Sequence, residues 1–329
     1  MSGLSGMSRR ELARGAVGAV ALTAWGPALA GRAYAAGDGT SGDGTAGGTA
    51  DGAGQRRVVA RQAGPFEVLA LLDAHGPFPG RTRDHFTGAA ERDWERAERL
   101  DPAAFGPDGT WELDFRCYAV RRPGGRVTLV DTGIGPVGSP ASGWAPVPGR
   151  LPRVLTEAGI GVADVDSVVL THLHSDHYGW VVGPDGTPMF PGARHVVQHA
   201  EVASLDPGDT SLSYVVEPLR AAGLLQEVDG RTRLVGDGRG RGRAVTLVPT
   251  PGHTAGHQSV LVEGGSRRVV VTGDVLVHAV QWANPAVAYR FEHDPAAARD
   301  TRERLLAEAR RHRSLLATAH LNRPFIPAG

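Results

Sequence analysis

Apolar positions along the chain fall into short runs rich in Val and Leu, separated by turns rich in Gly and Pro. Runs at Phe66 to Leu72, Leu113 to Val120 and Arg126 to Val130 predict strands, the third ending in Asp131-Thr132-Gly133. Similar runs predict strands at Ser167 to Thr171, Arg194 to His199, Ala244 to Pro249, His257 to Glu263, Arg268 to Thr272 and Leu315 to Ala319. Helical spacing predicts helices over Ala89 to Glu98, Arg150 to Ala158 and Pro295 to Arg311, the last with Pro in its first turn, where helices tolerate it. The rest of the polar segment Asp73 to Thr110, with His85 and Phe86, is expected to form a loop over whatever site the strand ends build. Two blocks of strands with helices interspersed imply α/β layers, with functional residues at strand ends and in loops.

The first residues break this pattern. Ser8-Arg9-Arg10-Glu11-Leu12-Ala13-Arg14 precedes an apolar run from Gly15 to Ala30 and then Ala33-Tyr34-Ala35. A charged start, a short apolar stretch and a small-x-small site predict a signal peptide over residues 1–35, of twin-arginine type from the paired Arg. The run contains Gly, Pro and Thr and is shorter than the roughly 20 apolar residues of a span, so removal is expected rather than stable membrane anchoring. The protein is therefore expected to be exported, to the medium or the cell envelope. Residues 36–56 are mostly Gly, Ala, Thr, Asp and Ser without apolar periodicity, and are read as a disordered linker. A single catalytic domain is expected over residues 57–329.

Composition excludes several classes. Every basic residue is Arg, and 35 basic side chains balance 35 acidic ones. Residues 1–35 hold four Arg and one Glu, so the remainder carries 31 basic against 34 acidic groups and lacks the excess that nucleic-acid binding needs. A small molecule is the expected partner. The single Cys117 permits no internal disulfide, and its apolar neighbours predict a buried, inert thiol.

The chemistry concentrates in Thr171-His172-Leu173-His174-Ser175-Asp176-His177-Tyr178-Gly179-Trp180. Four metal-capable side chains fall within six residues, directly after an apolar strand. In an extended turn His172 and His174 project to one side, and Asp176 and His177 address a neighbouring point as the chain curls. Imidazole and carboxylate are the ligand types zinc accepts where a position stays open for water. With 13 His in 329 residues, a chance scatter is a poor explanation of the cluster.

His-x-His-x-Asp-His after a strand resembles the signature of the metallo-β-lactamase-fold hydrolases. Later segments match that family in order: Thr250-Pro251-Gly252-His253-Thr254-Ala255-Gly256-His257, Thr272-Gly273-Asp274 and Ala319-His320. The resemblance covers nearly all of Phe66 to Phe325. It implies a four-layer αββα sandwich of two mixed β-sheets flanked by helices. It also implies two divalent metal ions, zinc above all by ligand type, with iron, manganese and cobalt open. His172, His174 and His253 would hold the first ion. Asp176, His177 and His320 would hold the second, and Asp274 would bridge both. A water or hydroxide between the metals would be the nucleophile, with Asp176 orienting it and accepting its proton. Asp131 is assigned a supporting place beside the ligands, and His257 is read as structural or supporting rather than as an eighth ligand.

Asp274 separates this chain from true β-lactamases of the fold, which generally lack a bridging aspartate there. The pattern is closer to lactonases, glyoxalase II-like thioesterases and methyl-parathion-hydrolase-like ester or organophosphate hydrolases. Gly273 to His278, Gln281, Pro285, Thr301-Arg302 and Leu305-Leu306 resemble the last group most. Lactonases acting on acyl-homoserine lactones usually carry Tyr three residues after the bridging Asp, where this chain has Val277. The expected reaction is cleavage of an ester-like bond in a lactone, aryl ester or phosphotriester. The alternatives are a one-iron sulfur-dioxygenase-like oxidoreductase and a glyoxalase II-like thioesterase. Of the aromatic residues, Trp180 is expected to line the substrate pocket, whereas Trp282, Tyr289 and Phe291 are assigned to the core. His85 and His278 are candidate substrate contacts. His75, His195, His199, His293 and His312 are expected in surface, loop or packing positions.

Overall fold

The computed structural model describes residues 56–236 and 242–328. The expected signal peptide and all but the last residue of the expected linker lie outside the described residues.

The first half of the domain builds one sheet. Its strands are β1 (Val58–Ala63) and β2 (Phe66–Arg81), then, past the two-residue β3 (Phe86–Thr87), β4 (Thr110–Arg121), β5 (Val127–Val130), β6 (Val165–Val169), β7 (Arg194–Gln198) and β8 (Leu225–Val228). They run in the order β1-β2-β4-β5-β6-β7-β8, antiparallel up to β5 and parallel from β5 to β8. The second half adds β9 (Thr232–Gly236), β10 (Arg243–Pro249), β11 (Gln258–Gly264), β12 (Arg268–Val271), the short β13 (Ala288–Tyr289), β14 (Leu315–Ala317) and β15 (Phe325–Pro327). Its sheet is ordered β15-β14-β12-β11-β10-β9, parallel only between β12 and β14. β13 pairs with β3 as a separate ribbon.

Alternation along the strands separates the layers. In β2, Val68 and Ala70 face the second sheet, where they meet Val245, Val260 and Val269, while Leu69 and Leu71 face outward. That outer face is covered by α2 (Leu151–Glu157), through Leu151, Val154 and Leu155, and by Leu219 of α4 (Glu217–Ala221). The second sheet's outer face meets α6 (Pro295–Arg311) through Leu306 and Ala309, which pack with Leu316 and Ile326. Each fully buried Val or Leu contributes about 1.5–3 kcal/mol, so this two-sided burial keeps the sheets together without a disulfide. Cys117 is buried among these apolar groups, and burial pushes its thiol well above its ordinary pKa. The result is the expected αββα sandwich.

Two expectations change. Asp73 to Arg81 is not a loop, because β2 continues through it, paired with β4 across two register shifts. The alternation there is weak in Gly and Pro, and pairing with the apolar β4 overrides the local signal. In addition, β1, β8, β9 and β15 escaped the pattern, since each is short, polar or at a sheet edge. Helix α1 (Glu91–Leu100) lies two residues beyond its predicted range, and α6 begins and ends where expected. Asp294 caps α6, accepting the N–H groups of Ala296 and Ala297 at 3.0 Å each.

Candidate metal centre

The loops at one edge of the two sheets bring the seven proposed ligands together. The first set is His172, His174, His253 and Asp274, and the second is Asp176, His177 and His320. His172 and His174 follow β6, His253 follows β10, Asp274 follows β12, and His320 follows β14. Strand ends at a common edge thus assemble residues nearly 150 positions apart in sequence.

The distances fit divalent cations. A tetrahedral cation with bonds of about 2.0–2.1 Å holds its ligand atoms about 3.3–3.4 Å apart. In the first set, His174 Nδ1 is 3.0 Å from both His172 Nε2 and His253 Nε2. Asp274 Oδ2 is 3.3 Å from His253 Nε2 and 3.9 Å from His172 Nε2. In the second set, His177 Nε2 is 3.2 Å from His320 Nε2, and Asp176 Oδ2 is 3.6 and 3.4 Å from them. Asp274 Oδ1 is 3.3 Å from His177 Nε2 and 3.2 Å from His320 Nε2. Asp274 therefore turns one oxygen to each set.

Hydrogen-bond direction makes the same point. His177 Nδ1 donates to Asp131 Oδ2 at 2.9 Å, and His320 Nδ1 donates to the carbonyl of Asp114 at 2.9 Å. With those protons on Nδ1, the two neutral rings turn bare Nε2 lone pairs towards each other. Only positive charge resolves such a meeting. Burial opposes charge on His177, but Asp274, Asp176 and Asp131 outweigh it and raise its pKa well above the usual value. Against its burial, His320, His177 and His253 hold the Asp274 carboxyl well below the carboxylate range. Burial lowers His172 and His253 well below their ordinary values, which leaves them neutral as cation ligands must be.

Asp131 sits at the hub of the supports. Its backbone is in the left-handed region (φ 59°), which Asp tolerates better than most residues. Its carboxylate accepts from Thr171 N–H and Thr171 O–H at 2.8 Å each, besides holding His177. Thr171 Oγ1 then stands 3.0 Å from His172 Nδ1, so one carboxylate orients a ring in each set.

His257 stands outside both sets and contacts Asp274 from behind. Ser259 O–H donates to the Thr272 carbonyl, which leaves Thr250 O–H to donate to Ser259 and His257 Nδ1–H to donate to Thr250. Its free Nε2 accepts the Asp274 N–H at 2.9 Å. Burial pulls His257 down to about 4, which keeps this order of protons. Gly273 is required beside it: φ is +52°, and a Cβ would lie 2.6 Å from His257 Nε2.

Above the ligands opens a cavity of about 780 Å³. His174, Asp176, His253, Asp274 and His320 form its floor, and Phe78, Trp111, Trp144, Tyr289 and Phe291 form an aromatic wall. Glu201, Asp209 and Glu292 also line it, Glu292 next to Phe291 and paired with Arg302.

Several aromatic and histidine expectations are corrected by this geometry. Trp180 does not line the cavity: it packs into the core beneath α2, and its indole N–H donates to the buried Asp73 at 3.2 Å. Tyr289 and Phe291 belong to the core as expected and also line the cavity, where the Tyr289 ring stacks parallel to His253 at 6.1 Å. Trp282 packs at the edge of the core as expected. His85 lies behind the aromatic wall, against Phe78 and Phe291. His278 is enclosed by Phe86, Trp94, Phe105 and Trp111, and burial pulls it down to about 3. Neither lines the cavity, so neither is a substrate contact. His195, too, is a buried packing residue.

The residues that resemble the methyl-parathion-hydrolase pattern serve the scaffold. Arg302 donates to the carbonyls of Pro285 and Val287 at 3.0 and 3.1 Å and pairs with buried Glu292 at 2.8 Å. Gln281, in α5 (Ala279–Ala283), also donates to Glu292, and Thr301 donates to the Pro251 carbonyl at 2.7 Å. Together they brace the segment that presents Tyr289 and Phe291. Glu201 and Asp73 are buried carboxylates that sequence reasoning missed, since neither belongs to a spaced motif.

Comparison with known proteins adds to this geometry. The family model described as the Metallo-beta-lactamase superfamily matches residues 116–320. The chain is 28% identical over 235 residues to the N-acyl homoserine lactonase AttM of Rhizobium radiobacter, which covers 65% of this chain and 84% of that protein. It is 37% identical over 111 residues to the protein of the same name from Azorhizobium caulinodans, covering 32% of this chain and 38% of the relative. Among solved structures, a hydrolase of the beta lactamase superfamily, AbOPH, superposes with a TM-score of 0.65 at 24% identity, over 82% of this chain and 92% of that one. AidC, described as a dizinc quorum-quenching lactonase, superposes with a TM-score of 0.63 at 19% identity, over 82% of this chain and 97% of the other. The two structural likenesses establish the fold.

Proposed function

The chain belongs to the metallo-beta-lactamase superfamily and is a metal-dependent hydrolase, and from that premise we propose that it holds two zinc ions and opens the ester bond of a small, uncharged lactone. The observation that carries this reading is the division of Asp274, one oxygen turned to His253 at 3.3 Å and the other to His320 at 3.2 Å. A one-iron oxygenase would leave Asp176, His177 and His320 without use. The similarity to the lactonase AttM supports the lactone as substrate.

When bound, the two cations supply Lewis acidity, drawing a water's pKa from 15.7 towards roughly 7 and polarising the bond under attack. The chain's own residues do the rest. Asp176 lines the cavity and is assigned proton transfer: its carboxylate takes a proton from the attacking water and returns it to the departing alkoxide oxygen. Asp131 and the Asp114 carbonyl hold His177 and His320 in the tautomer that presents Nε2. The aromatic wall excludes water from one side of the substrate and packs its apolar part.

The lining also bears on the substrate's charge. Among the described residues it holds no Arg, while Asp209 adds a carboxylate. Glutathione thioesters and other anions thus find no guanidinium partner there. A panel of lactones, aryl esters, phosphotriesters, glutathione thioesters and β-lactams, assayed with zinc-loaded protein of known metal content, tests the reading. The expected result is two zinc equivalents per chain and the highest kcat/KM on a neutral lactone. One iron per chain, or highest kcat/KM on a thioester or β-lactam, would overturn it.

A further inference from the structure

The supports of the two ligand sets are unequal. His177 and His320 of the second set each give their outer nitrogen to an acceptor, whereas His253 of the first set has a buried Nδ1 with no hydrogen-bond partner. Something other than a ring hydrogen bond must therefore set where His253 stands relative to His172 and His174.

The candidate is Glu201, in the short helix α3 (His199–Ala203) that follows β7. Its side chain is buried at 2% exposure and reaches two ligand loops at once. Oε1 accepts the N–H of Leu173, the residue between His172 and His174, at 2.9 Å. Oε2 accepts Thr254 O–H at 2.7 Å and Gly256 N–H at 2.9 Å, both just beyond His253. The Leu173 carbonyl is held from the other side by Ser211 O–H at 3.1 Å. The loop after His253 comes so close that a Cβ on Gly256 would lie 2.1 Å from the Glu201 nitrogen. Both loops are thus fastened at the backbone to one carboxylate that is not among the proposed ligands.

We propose that Glu201 is the positioning residue of the first metal set, its carboxylate fixing the distance between the His172–His174 turn and the His253 loop. The proposal rests on the two-metal reading. Three donors share two oxygens, and an amide cannot accept all three. Glu201→Gln keeps an acceptor for one loop and turns an NH2 group towards the donors of the other, so the loops separate and the first set loses its spacing. The second set, held through Asp131 and the Asp114 carbonyl, keeps its own. A positioning partner of this kind typically changes metal affinity by about 10–100-fold.

The test is a zinc titration of metal-free full-length protein against a chromophoric chelator. His253→Ala and His320→Ala isotherms identify the first and second sites. In Glu201→Gln the first site should weaken by about 10–100-fold while the second changes by less than about 3-fold. Thr254→Val removes only one donor to Oε2 and should weaken the same site by a smaller factor. This milder variant decides the matter if Glu201→Gln does not fold. Equal weakening at both sites would mark Glu201 as a general charge or fold element, and unchanged affinity at both would remove any role; either result overturns the proposal. If the unsubstituted protein binds fewer than two zinc ions, the two-metal reading fails by itself, separately from Glu201.

Discussion

The two ligand sets sit side by side on one shared carboxylate, yet they are built by opposite means. The second set is oriented through its rings: His177 leans on Asp131 and His320 on the Asp114 carbonyl, each at 2.9 Å. In the first set, His172 alone has such a ring contact, through Thr171, and the loops are fastened through the backbone to Glu201. A ring hydrogen bond sets tautomer and angle, whereas a backbone fastening sets distance. The contrast does not come from sequence distance. Each set joins a local pair from the turn after β6 to a remote ligand, His253 after β10 in the first and His320 after β14 in the second. Glu201 spans the two loops in the first, whereas in the second the Asp114 carbonyl holds the remote His320 ring directly.

Substitutions can break this contrast in order of expected effect. Asp176→Asn keeps shape and a ligating oxygen but removes the proton acceptor, so kcat on the best substrate should fall by about 10²–10⁴ with first-set metal retained. Steady-state kinetics together with metal analysis check this, and near-normal turnover would leave Asp176 no catalytic role. Next comes Asp131→Asn. His177 would lose a carboxylate partner while Glu201 stays in place, so the second site should weaken by about 10–100-fold and the first by less, through Thr171 alone. Competition titration reads both values, and a loss confined to the first site would reverse the comparison drawn above.

The smallest expected effect lies outside both sets and shows what a buried His with one unpartnered nitrogen does on its own. Burial pulls His195 down to about 4, with its Nε2 unpartnered. The folded chain therefore binds this proton less readily than the unfolded chain, whose His titrates near 6.5. Stability is fully present above about 6.5 and is lost as pH falls from there towards 4, by at most about 3 kcal/mol for this group. His195→Leu should flatten that slope in denaturant unfolding of the metal-free protein. An unchanged slope would show that other buried groups set it.

Much of the site was legible because its most telling part is local. His172, His174, Asp176 and His177 lie within six residues after a Val-rich strand, and such a cluster has few meanings. The strands of the two sheet centres were legible for a related reason, since residues buried on both faces read as continuous apolar runs. Glu201 was not legible: it is one carboxylate in a five-residue helix, and its partners lie 28 and more positions away. Trp180 was assigned to the cavity because it follows the ligand motif, yet the buried Asp73 takes its indole N–H and turns the ring into the core. Tyr289 and Phe291 carried no pattern that distinguishes a wall from a core.

The sequence by itself thus determined the layered α/β class, the residue types of the ligand sets and their order along the chain. These are written in local spacing, strand periodicity and the chemistry of individual side chains. Tertiary structure alone decided which carboxylates brace which loops, which aromatic rings face the cavity, and that Asp274 turns one oxygen to each set. Those depend on the directions of side chains brought together from strands far apart in sequence, and one residue's spacing to the next holds no record of them.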